Sequence, residues 1–170
     1  MTAAKPFSVA PIDATFGAVI TGLELANLSE PAFAALYETW LEYALLVFPE
    51  QNLSNDEQVT LAKRFGDLEF ALAELSNVKP DGSLRTDADD DMVKILKGNM
   101  GCHCDSTYMP VQAKGAVFTA HVVPSHGGET GWADTRAAYR ELDGATRERI
   151  ADLSAYHSLY YSQQKFGETK

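Results

Sequence analysis

His103 and Asp105 stand one residue apart in the run Gly101-Cys102-His103-Cys104-Asp105-Ser106-Thr107-Tyr108. The residues after the pair favour β structure, and on a strand the side chains i and i+2 share one face. An imidazole nitrogen and a carboxylate oxygen would then aim at one ion, with Cys104 pointing away. This is two-thirds of the 2-His-1-carboxylate set that suits non-haem iron(II). The chain has four histidines. Three of them are internal candidates for the missing ligand: His121 inside an apolar run, His126 beside Gly127-Gly128, and His157. Histidines in such settings are more often packed or solvated than ligating, so none of the three is assigned. A His-x-Asp pair is common by chance, so the elements around it must carry the reading.

A chain of 170 residues suffices for one domain with its own core, expected over residues 1–170. Hydrophobic residues make up 45% and charged residues 22%, the composition of a globular chain. Fourteen Lys and Arg face 24 Asp and Glu, for a net charge of −10. Phosphate backbones need clustered cations, so nucleic acid is excluded as a partner, and the acidity reads as solubility. No apolar run approaches the length of a membrane span, so no membrane partner is expected. Residues 1–10 hold one Lys and no long apolar core, unlike a secretory signal. These features predict a cytoplasmic protein. Cys102 and Cys104 are too close for an unstrained bridge on one strand, and reduced thiols suit that compartment. Cys-x-Cys with no second Cys pair is poor evidence for zinc.

The elements that must position the pair can be read along the chain. Ala18-Val19-Ile20-Thr21 is a β-rich run between two glycines. Ser29 is a good N-cap with Pro31 in the first turn behind it. Phe33, Leu36, Tyr37, Trp40, Leu41 and Ala44 then follow the spacing of one helical face. Leu45-Leu46-Val47-Phe48 reads as a buried strand. Ser54 and Glu57 form a capping box for a second helix, with Val59, Leu61, Ala62 and Phe65 on its apolar face and Gly66 as its stop. Residues 80–91 carry Asp81, Asp87, Asp89, Asp90 and Asp91 and read as a mobile, solvated loop. Met92-Val93-Lys94-Ile95-Leu96 is expected to be a strand, as are the His103 segment and residues 116–123. Gly127-Gly128 should turn, and residues 135–142 and 145–153 should be helical, with Asp134 and Asp143 near their starts.

Taken in order, several segments carry a likeness. They are Gly17-Ala18-Val19-Ile20-Thr21-Gly22, Leu46-Val47-Phe48-Pro49-Glu50-Gln51, Arg64-Phe65-Gly66-Asp67-Leu68, the His103 run, His121-Val122-Val123-Pro124, Gly127-Gly128-Glu129-Thr130, and Ala133-Asp134-Thr135-Arg136-Ala137-Ala138-Tyr139. Together they resemble the TauD/TfdA family of Fe(II)- and 2-oxoglutarate-dependent dioxygenases. The resemblance implies an α+β fold on a double-stranded β-helix, or jelly roll, with flanking helices. It implies Fe(II) held by His103 and Asp105, Thr130 hydrogen-bonded to the co-substrate 2-oxoglutarate, and Asn99 lining the substrate pocket. It also implies O₂ consumption, decarboxylation of 2-oxoglutarate to succinate and CO₂, and hydroxylation of a small substrate. In the family, a second iron-binding His and an Arg for the far carboxylate of 2-oxoglutarate lie nearer the C-terminus. The chain is therefore expected to be C-terminally incomplete, without the later strands of the jelly roll. Edges and apolar faces exposed in this way favour association, so a homo-oligomer is expected.

The chain departs from the family where Cys102 and Cys104 replace the usual Trp and small residues around the His. Glu69-Phe70-Ala71-Leu72-Ala73-Glu74 lacks the His and Tyr of taurine-oxidising members. The His103 run and Tyr156-His157-Ser158 are instead closer to members acting on aryloxyalkanoates and related carboxylates. Lys94 and Lys97 read as surface cations. One rival reading is an inactive family member serving as a binding or interaction module. Another, a zinc metallohydrolase, lacks a helical His-Glu-x-x-His motif.

Overall fold

The computed structural model describes residues 5–164, with side chains as far as Tyr161. Of the N-terminal decapeptide read for a secretory signal, Met1 to Ala4 fall outside the described residues. The chain begins with a small sheet. β1 (Ser8–Pro11) pairs antiparallel with β2 (Ala18–Thr21), in the register Ser8 with Thr21 and Pro11 with Ala18. β2 pairs in parallel with β3 (Leu46–Val47). Along β2 the strand period sets burial: Ala18 and Ile20 are buried, while Val19 and Thr21 are not.

α1 (Glu30–Tyr43) starts where Ser29 caps it, the Ser29 hydroxyl accepting from the Ala32 N–H. Its buried positions are Leu36 and Thr39, and the Thr39 hydroxyl donates to the Ala35 carbonyl at 2.7 Å. The expected stripe needs correction at its far end. Leu41 is 53% exposed, and Ala44 is the C-cap with φ of 62°. The core-facing stripe therefore ends with Trp40 and Tyr43. α2 (Asn55–Lys63) opens with the capping box read from Ser54 and Glu57 and presents Leu61 to the core. Phe65, just past its end, packs edge-on against Phe33 and Trp40, and the Arg64 guanidinium lies 4.2 Å over the Phe33 ring. Gln51 binds the connection before α2 to the chain at residues 23–25. It accepts from the Leu25 N–H at 2.9 Å and donates to the Leu23 carbonyl at 3.3 Å.

The chain divides into two compact units. One is built on residues up to Leu72, with Ala116–Gly128 and Asp134–Arg140. The other is built on Ala73–Gly115, Glu129–Ala133 and the segment from Glu141 onward. The hydrophobic core of Phe7, Ala18, Ile20, Leu25, Leu36, Leu53 and Leu61 lies wholly in the first. Among the described residues of the second, only Ser106 is fully buried. The second unit holds α3 (Asp91–Gly98), α5 (Gly144–Ile150) and α6 (Leu159–Gln164). α4 (Thr135–Glu141) lies almost entirely in the first.

Three expected strands are not strands. Residues 92–96 form the middle of α3, because Asp90 accepts from the Met92 and Val93 N–H groups and nucleates a helix. The His103 segment is a turn, since Ser106 adopts φ of 56° and the Met109 N–H returns to the Ser106 carbonyl at 3.0 Å. Residues 116–123 join no sheet among the described residues, although Val117 and Thr119 are half-buried with the alternation of a strand. The Val117 carbonyl is instead taken by the Gln58 amide at 2.8 Å. The acidic stretch is a loop, pinned by the bridge between Val78 and Leu84 and by Asp81 accepting from Ser83. Among the described residues no helix is long and apolar enough to cross a membrane.

Candidate metal centre

α3 delivers the chain to the site. Asn99 is its C-cap, with its N–H bonded to the Ile95 carbonyl, and the Met100 N–H closes on Lys97. The chain then turns at Gly101, whose carbonyl lies 2.7 Å from His103 Nδ1. A carbonyl only accepts, so Nδ1 carries the hydrogen and, in the neutral ring, Nε2 presents its lone pair. That lone pair faces Asp105: Nε2 lies 3.2 Å from Oδ1.

The turn therefore brings together what the strand was expected to bring together, by a different route. An unprotonated nitrogen and a carboxylate oxygen at this separation repel unless a proton or a cation lies between them. Two ligand atoms about 2.1 Å from one ion and at right angles are about 3.0 Å apart, so the observed spacing fits adjacent ligands on a divalent metal. A carbonyl on Nδ1 is the usual device for fixing such a histidine. Both side chains are about half exposed, at 49% and 64%. A contact this open to solvent does not hold the turn itself.

The turn is held by its neighbours. Ser106 is buried in the left-handed region. The Gln112 amide donates to the Asp105 carbonyl at 3.4 Å, and His157 Nδ1 lies 2.7 Å from Thr107 Oγ1. Neither contact was found by reading the sequence: Gln112 carried no motif, and His157 was weighed as a ligand and as part of the Tyr156-His157-Ser158 likeness. Asn99 and Thr130 belong to the same compact unit as the pair, are exposed, and take no part in the His103–Asp105 contact. Thr130 follows Gly127 and Gly128, which turn with φ of 72° and 76° as expected. That conformation is one that side chains disfavour, and a Cβ at Gly128 would also meet Pro124 at 3.2 Å.

Cys102 and Cys104 are exposed free thiols on either side of His103. His121 is exposed, and His126 pairs with its neighbour Ser125 at 3.1 Å. Among the described residues no three His, Cys, Asp or Glu side chains gather around one point. Lys94 is drawn to Asp89 at 3.7 Å. At the far end of α3, Arg85 pairs with Asp90 at 3.0 Å beside an open cavity of about 450 Å³ that also meets Lys79, Val78 and Met92. Neither His103 nor Asp105 lines that cavity.

Comparison with known proteins gives the family. Residues 8–170 match the family described as Taurine catabolism dioxygenase TauD, TfdA family. The chain is 62% identical to an (S)-phenoxypropionate/alpha-ketoglutarate-dioxygenase of Sphingobium herbicidovorans, over 95% of this chain and 56% of that protein. It is 53% identical to the protein of the same name from Delftia acidovorans, over 95% of this chain and 58% of that one. The crystal structure of AAD-2 in complex with Mn(II) and N-oxalylglycine superposes with a TM-score of 0.85 at 32% identity, covering 94% of this chain and 59% of that chain. The chain thus spans a little over half the length of the relatives it matches. The superposition agrees with the mixed α+β architecture.

Proposed function

This chain belongs to the TauD/TfdA family, and from that premise we propose that it is the iron-binding part of an Fe(II)- and 2-oxoglutarate-dependent dioxygenase. The substrate class is a small aryloxyalkanoate carboxylate, hydroxylated with release of succinate and CO₂. The observation that carries the reading is the 3.2 Å approach of His103 Nε2 to Asp105 Oδ1 with Nδ1 already committed to a carbonyl. The printed activities of the phenoxypropionate relatives support the substrate class. AAD-2 supports the cofactors. Its N-oxalylglycine stands in for 2-oxoglutarate, with an N–H where the co-substrate has a methylene, and its Mn(II) stands in for Fe(II).

In this reading His103 supplies a neutral imidazole and Asp105 an anionic oxygen, two adjacent positions of a facial triad. Bound there, Fe(II) supplies the redox chemistry that couples O₂ and 2-oxoglutarate to substrate oxidation. The Gly101 carbonyl fixes the His103 ring so that Nε2 is the nitrogen turned toward Asp105. Thr130 donates its hydroxyl to a carboxylate oxygen of 2-oxoglutarate, and Asn99, at the end of α3, lines the substrate pocket. Residues 1–170 belong to one catalytic domain whose complete form is a double-stranded β-helix; the superposition on AAD-2 supports its mixed α+β class. A cytoplasmic location accords with the two free thiols. A homo-oligomeric state accords with exposed apolar side chains such as Val122, Val123 and Tyr156.

The test is succinate release by the full-length protein with Fe(II), 2-oxoglutarate, O₂ and a 2-phenoxypropionate. Substrate-dependent succinate is expected from the wild type, and His103→Ala should abolish it. Turnover by His103→Ala equal to the wild type overturns the assignment.

A further inference from the structure

The site-bearing unit holds a contact outside the His103–Asp105 pair itself. His157 lies 50 residues beyond Thr107, just before α6, and its Nδ1 is 2.7 Å from Thr107 Oγ1. Thr107 follows Ser106, a non-glycine residue held at φ of 56°. A left-handed backbone of this kind costs roughly 1–2 kcal/mol and persists only where its surroundings impose it. Ser106 in turn follows Asp105, so its backbone angles set the direction in which the chain leaves the pair. On the upstream side His103 is fixed through Gly101. On the downstream side local bonds tie Met109 to Ser106 and Gln112 to Asp105. The bond from His157 reaches this turn from distant sequence. It anchors the side chain immediately after the strained residue.

We infer that His157 is a positioning residue for the metal pair: through Thr107 it holds the Ser106 turn in the conformation that sets Asp105 against His103. The role rests on the proposed reading of His103 and Asp105 as metal ligands. It assigns His157 a place outside the ligand set, because among the described residues no third His, Cys, Asp or Glu side chain gathers with His103 and Asp105. Asn can replace the imidazole in this role, since its amide can either donate to or accept from a hydroxyl.

The experiment is a Mn(II) titration of the full-length protein, followed by the loss of the free-ion EPR signal, together with the melting temperature of each metal-free variant. Outer-shell partners of metal ligands typically contribute 10–100-fold in affinity. His157→Ala and Thr107→Val should each weaken Mn(II) binding about tenfold, with melting temperatures close to the wild type. The double variant should bind within about twofold of the singles, because both remove one interaction. His157→Asn should recover most of the affinity. Wild-type affinity in His157→Ala, or no recovery in His157→Asn, overturns the inference. So does loss of all binding in His157→Ala with none in Thr107→Val, because His157 would then be a ligand. His103→Ala separates the two claims: it should abolish binding. If it binds as the wild type does, the metal site itself is misassigned, and the role of His157 falls with it.

Discussion

The core-bearing unit and the site-bearing unit are built on opposite principles. In the first, seven apolar side chains from the sheet, α1, α2 and the connections between them are buried together. In the second, α3 and α5 bury no residue, and the fully buried position is a serine in the turn beside Asp105. Apolar burial is worth about 25 cal/mol per Å², so the first unit is held by area. The second is held by individual hydrogen bonds, each worth about 1 kcal/mol net. A packed core tolerates the loss of one polar contact and suffers from the loss of a methylene. A turn held by discrete bonds behaves the other way. The proposed site sits in the unit where single polar contacts decide geometry.

The contrast is broken or sharpened most strongly by paired substitutions. His103→Ala should reduce turnover of the full-length protein more than about 100-fold, beyond the upper range for an outer-shell partner, while leaving the melting temperature nearly unchanged. Leu36→Ala, at 1% exposure in the core, should cost about 2–5 kcal/mol in a urea melt. Its folded fraction should retain turnover per molecule. A Leu36→Ala protein as stable as the wild type would remove the distinction.

Acid should come next, because it acts on several helix caps at once. The Thr146 hydroxyl, together with the Thr146 N–H, holds the Asp143 carboxyl below the usual range. At Asp90, burial pushes the pKa up, but the Arg85 ion pair and the Val93 and Met92 N–H groups outweigh it and the net direction is down. The Ser54 hydroxyl and N–H lower Glu57, and the Ala137 N–H above all lowers Asp134. Groups depressed on folding contribute stability above their unfolded pKa of about 4 and lose it as pH falls through the folded value. The urea midpoint should therefore be lower at pH 3 than at pH 7. Backbone Cα shifts should show α3 and α5, which lack buried side chains, losing helicity before α1. Simultaneous loss would mean that caps matter equally in both units.

Smaller effects complete the series. Ser54→Ala removes half of the capping box and should cost about 1 kcal/mol by chemical denaturation. Glu30→Gln breaks the ion pair with Arg64 at its exposed end, where Glu30 is 89% exposed. That change should move stability by less than about 0.5 kcal/mol. A larger loss would show that Arg64 depends on Glu30 for its place over Phe33.

Much of the first unit was legible because its signals are local and agree with one another. Ser29, Pro31, Ser54 and Glu57 state helix starts through bonds that span three residues. Ala18-Val19-Ile20-Thr21 carries the strand period in adjacent residues. Leu41 was misplaced because the helical stripe drifts: Leu36 and Thr39 are buried, Tyr43 packs on the core, and Trp40 packs on Tyr37 and Phe65. The second unit was read less well for the same physical reason. Short apolar runs such as residues 92–96 suit a strand or a helix equally, and the choice fell to one carboxylate, Asp90. Residues 116–123 have the alternation of a strand, but a strand also needs a partner.

The sequence alone determined the donor chemistry: an imidazole and a carboxylate two positions apart, with Gly127-Gly128 leading into Thr130. It also determined the family resemblance, because that rests on the order of short motifs. Only the tertiary structure decided how the donors meet. A strand would have placed His103 and Asp105 on one face through the backbone period. The chain instead uses a left-handed serine, a carbonyl on Nδ1 and a histidine from 50 residues away. Contacts of that separation leave no local trace in residue types, because the geometry that makes them depends on where the intervening chain has folded.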